Sequence, residues 1–305
     1  DYTRNILQGM QMKAEEGKIS LYQPLVDFYT EQVSTNGIKD DAQINVTDEM
    51  LDAAAQEAGT AIVTVGRYSS EGSDRSEADY YLTDAEKELI TRVGAKFDKV
   101  VVVLNVGAVM DTSWIKEIDG IDSVLVGWQA GMEGGLATAD ILVGDVNPSG
   151  KLVDTWAKSY NDYPSSETFN ESSNYVNYTE DIFVGYRYFE TFDPNYEKVN
   201  YPFGYGLSYT DFEISDVDIS FDGDTTDGTA NITATVKNTG DVAKRSYRCI
   251  LARRRWVRMK AIQSLENPRR NWRHLIRQTC WNQANLKRWK CPLRSPTCRA
   301  MMIRV

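Results

Sequence analysis

Ala61-Ile62-Val63-Thr64-Val65-Gly66-Arg67-Tyr68-Ser69-Ser70-Glu71-Gly72-Ser73-Asp74-Arg75 sets the architecture of this chain. Its first five residues are apolar or β-branched, which predicts a short buried strand ended by Gly66. A loop rich in serine and glycine follows. Thr83–Gly94 then reads as a helix, with Thr83 as its cap and Glu86 three residues later in a capping-box pattern. Val100–Leu104 is a second continuous apolar strand and Ser123–Val126 a third. The helix after it is short and opens with glycines and Glu133. Upstream, Asn45–Ala58 reads as a helix capped by Thr47. Tyr2–Gly17 and Leu21–Gln32 carry apolar residues at helical spacing, with Gly17 as a stop. Helices alternating with apolar strands imply an α/β fold, a mostly parallel sheet covered on both faces.

After Pro148 the texture changes. Residues 158–200 are rich in Tyr, Asn, Ser and Asp and read as long ordered loops. From Phe212 the apolar residues alternate (Phe212, Ile214, Val217, Ile219, Phe221) and turn at Asp222-Gly223-Asp224. Ile232, Ala234 and Val236 alternate again before Asn238-Thr239-Gly240, as at the start of an antiparallel sandwich. No run reaches the roughly eighteen apolar residues of a membrane helix. A hydrophobic fraction of 42% is enough for a real core. The chain opens on Asp1 and enters a helical pattern at once, as a processed product or a fragment would.

The net charge of −10 hides an asymmetry. Lys244–Val305 holds 18 Lys and Arg against the single acid Glu266, so it carries +17 and residues 1–243 carry −27. All four cysteines, His274 and four of the seven tryptophans also lie in that tail. Its cysteines form no Cys-x-x-Cys pair, which argues against zinc. A basic, Trp-rich segment is what a nucleic-acid binder would offer, but −27 on the remainder opposes one.

Five segments together resemble family 3 glycoside hydrolases of the β-glucosidase type. They are Val65–Arg75, Gly127-Trp128-Gln129-Ala130-Gly131-Met132-Glu133-Gly134-Gly135, Asn147-Pro148-Ser149-Gly150-Lys151-Leu152, Glu180–Phe189 and Tyr201–Tyr209. The resemblance implies a three-layer (α/β)6 sandwich over residues 1–158, entered just after its first strand. An ordered, aromatic-rich linker over 159–210 and the start of a fibronectin-III-like domain over 211–243 would follow. In the family a (β/α)8 barrel carries the aspartate nucleophile. That barrel is missing here, so no nucleophile is assigned in this chain.

Retaining glycosidases need two carboxyl groups about 5–5.5 Å apart, one as nucleophile and one as acid, then base. Glu71 matches the family's acid/base position within Ser-Glu-Gly-x-Asp-Arg, at the C-terminal end of a strand where α/β folds place ligands. Its plain alternative is one solvated acid among 43 in residues 1–243. Ser70, Asp74 and Arg75 are candidate sugar contacts, though an Asp74–Arg75 salt bridge stiffening the loop is the simpler reading. Glu133 reads as a helix N-terminal cap, and Trp128 as a packed core residue ahead of a sugar platform. The glycines around Glu133 lack the Gly-Lys-Ser/Thr of a phosphate loop.

The tail reads most simply as a frameshift near Val242–Lys244. Joining the last base of each codon to the first two of the next turns Cys280-Trp281-Asn282 into Leu-Glu whatever the synonymous codons. Suitable synonymous choices extend Arg270–Trp289 into an acidic, alternating string similar to the family's fibronectin-III-like domain. The expectation is therefore a fragment of a retaining β-glucosidase or β-xylosidase, inactive alone, acting on a small β-glucoside or oligosaccharide. No cofactor, metal, nucleic acid or membrane is implied. A non-catalytic carbohydrate-binding or interaction module is the alternative.

Overall fold

The computed structural model describes residues 2–36, 45–67, 74–222, 229–240, 248–251, 291–292 and 301–304. They divide into two units, one of Asp1–Val146 with Leu152–Tyr205, the other of Asn147–Lys151 with Gly206–Val305.

The first unit is a mixed α/β layer structure. Its parallel sheet has the order β1 (Thr60–Arg67), β2 (Lys99–Val106), β3 (Ser123–Val126), with β2 in the middle. Val63 pairs with Val102 and Leu104 with Val126, all in parallel register. β2 is paired on both edges as the central strand, and Val100, Val102, Val103, Leu104 and Val106 are buried on both of its faces rather than on one. Each such side chain contributes about 1.5–3 kcal/mol of hydrophobic stabilisation. Gly66 does not end β1 as its sequence position implies; it pairs with Asn105 inside the ladder, and the strand runs on through Arg67. A parallel ladder uses backbone groups only, so a glycine whose partner strand continues is kept within it.

Helices α3 (Asp48–Glu57) and α4 (Asp84–Gly94) deliver Leu51, Ile90 and Val93 to the core around β2. Thr47 caps α3 by accepting from Met50 N, and Thr83 and Glu86 form the reciprocal capping box of α4. Helix α1 (Ile6–Glu15) packs on α6 (Gly134–Leu142) at a glycine contact. A Cβ on Gly135 would stand 2.0 Å from Asn5 O, so no other residue fits without moving backbone. Beside it, buried Lys13 is ion-paired to Asp140 at 2.6 Å and Asp145 at 3.0 Å. In chain order α2 (Gln23–Asn36) follows α1, and the one-turn α5 (Trp114–Glu117) separates β2 from β3.

The stretch 158–200 is more structured than its polar composition implies. It is bracketed by β4 (Trp156–Ala157) and β5 (Val199–Tyr201), paired antiparallel, and contains α7 (Tyr186–Phe192). The Tyr163 hydroxyl accepts from Ala157 N and donates to Thr155 O, both at 3.0 Å, while Tyr80 Oη donates to Ala157 O at 2.9 Å. Two tyrosines thus saturate the Ala157 peptide and clasp this stretch to the sheet domain.

In the second unit β6 (Phe212–Asp222) and β7 (Thr229–Asn238) form the expected antiparallel pair, with a bulge between Ser215 and Asp218. Asn238 closes its open end, accepting from Thr210 Oγ1 at 2.5 Å and Gly240 N at 3.1 Å. Short strands β8 (Arg248–Leu251), β9 (Cys291–Pro292) and β10 (Met301–Arg304) are the described part of the tail. The rest of the proposed frameshifted stretch lies outside the described residues.

Candidate functional site

The sheet delivers its candidate site at the carboxyl end of β1. The chain leaves that strand at Arg67 and is described again from Asp74, so Ser70 and Glu71 lie outside the described residues. Arg67 and Arg75 flank this stretch in sequence, and both are held by the same carbonyl. Arg67 Nε donates to Asp79 O at 3.3 Å, and Arg75 Nη2 donates to that same oxygen. Arg67 also donates from Nη2 to Tyr81 O at 2.8 Å, and Arg75 from Nη1 to Val109 O at 3.3 Å. The 3-10 turn Glu77–Tyr80 supplying the shared carbonyl is closed by Asp79, whose side chain accepts from Ser76 N and Oγ.

Behind it, Arg67 and Glu86 form a two-pronged pair, Nη1 to Oε1 at 2.6 Å and Nη2 to Oε2 at 2.7 Å. Planar two-bond pairing fixes direction as well as distance. Burial alone would raise the Glu86 carboxyl, but the bonds from Arg67 and the Thr83 backbone outweigh it and hold it below its ordinary value. The same contact raises Arg67 above the ordinary arginine value. Burial lowers Arg75, with the Asp79 charge opposing, and its Nε finds no hydrogen-bond partner among the described residues. Glu86 therefore serves two roles, helix cap and arginine anchor, of which its sequence position reveals only the first.

Asp74 and Arg75 do not form the expected salt bridge. Asp74 is exposed, while Arg75 turns half-buried onto the carbonyls of Asp79 and Val109. Glu133 makes no side-chain cap for α6 either. Its carboxylate accepts from Tyr2 Oη and Arg4 Nη1, and these bonds hold it below its ordinary value. An arginine within reach outcompetes neutral backbone donors for a carboxylate. Trp128 is partly buried against the core, edge-on to Trp156 at 5.8 Å, with a left-handed backbone (φ 53°) after β3. Among the described residues no three His, Cys, Asp or Glu gather as a metal site, and no helix is long and apolar enough to cross a membrane.

Residues 1–209 match the family described as the glycosyl hydrolase family 3 C-terminal domain. The chain belongs to glycosyl hydrolase family 3. Among curated relatives, it is 46% identical to β-glucosidase A of Butyrivibrio fibrisolvens, covering 70% of this chain and 29% of that enzyme. It is 45% identical to a β-glucosidase of Ruminococcus albus, over 66% of this chain and 20% of the relative. It thus spans less than a third of the length of either. Of solved structures, a β-glucosidase from Paenibacillus barengoltzii superposes with TM-score 0.73 at 37% identity, over 82% of this chain and 28% of that one. β-Glucosidase 3B from Thermotoga neapolitana, solved with glycerol, gives 0.72 at 31% identity, over 96% of this chain and 40% of that one. The family 3 C-terminal domain is therefore the α/β architecture seen here, with its three parallel strands.

Sequence inspection leaves Arg67 unassigned and gives Glu86 only its capping role, although the two form a structural pair beside the candidate site. A charged residue closing an otherwise apolar strand, 19 positions before a capping glutamate, was the available signal.

Proposed function

We propose that this chain supplies the acid/base half of a retaining β-glucosidase or β-xylosidase site. Glu71 protonates the departing glycosidic oxygen and then activates the water that releases the sugar. Ser70 and Asp74 complete its surroundings as sugar contacts, and Arg75, turned onto the carbonyls of Asp79 and Val109, acts as a positioning residue in place of the expected sugar contact. The aspartate nucleophile comes from a (β/α)8 barrel elsewhere in a longer protein, so this chain by itself turns over no glycoside. The second unit begins a fibronectin-III-like domain, interrupted by a frameshift before Lys244.

One observation carries the reading. In a member of family 3, Arg67 at the carboxyl end of a parallel strand and Arg75 of the Ser-Glu-Gly-x-Asp-Arg motif both donate to Asp79 O. That arrangement ties the two arginines that flank Glu71 in sequence to one point at the strand end, where α/β folds place ligands.

The test uses the longer protein carrying this chain. Glu71→Gln is expected to lower kcat/KM for an unactivated β-glucoside by about 10²–10⁴, the usual worth of positioned acid–base catalysis, and to erase the alkaline limb of its pH profile. An unchanged alkaline limb would remove Glu71 from the role.

A further inference from the structure

Arg67 uses every N–H of its side chain on the protein itself. A guanidinium carries five donors. Nε bonds Asp79 O at 3.3 Å, Nη1 bonds Gly66 O at 2.7 Å and Glu86 Oε1 at 2.6 Å, and Nη2 bonds Tyr81 O at 2.8 Å and Glu86 Oε2 at 2.7 Å. Only 10% of the side chain is exposed. An arginine in this state has no donor left for a sugar hydroxyl and acts as a bracket.

The bracket joins parts that meet at the end of the sheet. Arg67 is the last residue of β1 and pairs with Val106 of β2. Its Nε acceptor, Asp79 O, also accepts from Arg75, and the neighbouring Tyr80 O accepts from Asp111 N, beyond β2, at 2.7 Å. Glu86 sets the direction of the guanidinium. Its two oxygens match the fork, and Oε2 also accepts from Thr83 N at 2.8 Å, which fixes the carboxylate to the first turn of α4. Ile90 and Val93 seat α4 in the core. Position therefore passes from the core to α4, to Glu86, to Arg67, and to the carbonyl that also holds Arg75.

We infer that Glu86, acting through Arg67, is a positioning residue for the acid/base step; this rests on the reading of Glu71 above. Glu71 stands four residues from each arginine, within about 14 Å of either even if that chain were fully extended. A purely structural pair would affect stability alone. A positioning pair also decides which substrates suffer, because proton donation matters only where the leaving group departs poorly without it.

The longer protein carrying this chain is assayed for kcat/KM on an alkyl β-glucoside, whose leaving group needs a proton, and a dinitrophenyl β-glucoside, whose leaving group does not. The ratio of the two values is the readout, since a smaller folded fraction lowers both alike and cancels. Glu86→Gln is expected to lower the alkyl value by about 10–100-fold, up to the cost of a misplacement near 1 Å, and the dinitrophenyl value by less than about threefold. Arg67→Lys keeps the charge but loses the fork, so it should move the ratio the same way, and it stands in if Glu86→Gln does not fold. An equal fall on both substrates, or no fall on either, overturns the inference. Glu71→Gln is measured alongside. If Glu71→Gln moves the ratio and the Glu86 and Arg67 variants do not, the positioning role fails while the catalytic reading stands. If Glu71→Gln itself leaves the ratio unchanged, the catalytic reading fails and the positioning role falls with it.

Discussion

Arg67 shows how one side chain ties the strand to the loop beyond it. Its guanidinium joins Glu86, Tyr81 O and Asp79 O, so truncation would take the two-pronged partner from Glu86 and a donor from each carbonyl. Arg67→Met is expected to cost about 2–3 kcal/mol by urea denaturation, the range for losing charge-assisted bonds at a partly buried group. The pair also sets a pH dependence. Glu86 is held below its ordinary value of 4.5, so its contribution is full above that value and is lost as pH falls through the folded one. Glu86→Gln should flatten the acid-side decline in Tm; an unchanged decline would assign acid sensitivity to other carboxylates. The capping box around Glu86 was legible because Thr83 and Glu86 are three apart. The arginine contact was not, because 19 residues separate the partners and only the folded strand brings them together. Glu133 failed as a helix cap for the same reason: its partners Tyr2 and Arg4 come from the far end of the unit.

At the scale of elements, the strands were legible and the clasp between segments was not. An unbroken apolar run such as Val100–Leu104 has one stable fate, the middle of a parallel sheet, and it lies there. Helix α7 escaped notice because aromatic residues are indifferent helix formers. Tertiary burial of Phe189, not propensity, holds it. The Tyr163 clasp likewise depends on backbone acceptors that no side-chain pattern announces. Tyr163→Phe keeps the ring against Phe189 but leaves Ala157 N and Thr155 O without that partner. It should destabilise the first unit by about 1–3 kcal/mol, the cost of unpaired buried polar groups. Calorimetry showing no loss would mean that other groups or water replace the hydroxyl.

Across the whole molecule, the family was readable because five short segments kept their order over residues 1–209, where composition alone would have fitted many α/β proteins. The break in charge at Lys244 was equally visible, and its origin is a question for the encoding DNA. The proposed retaining mechanism needs a second carboxylate about 5–5.5 Å from the acid/base, and the chain spans under a third of two β-glucosidases it matches. The central claim is the proposal that Glu71 is the acid/base of a longer enzyme containing this chain. Its most direct test is Glu71→Ala in the longer protein, assayed with an aryl β-glucoside whose leaving group needs no proton, with and without sodium azide. The account predicts slow turnover alone, a large increase with azide, and β-glucosyl azide as product, because a small anion can attack the glycosyl-enzyme where the general base is gone. Full activity without azide, or inactivity that azide does not relieve, would contradict it.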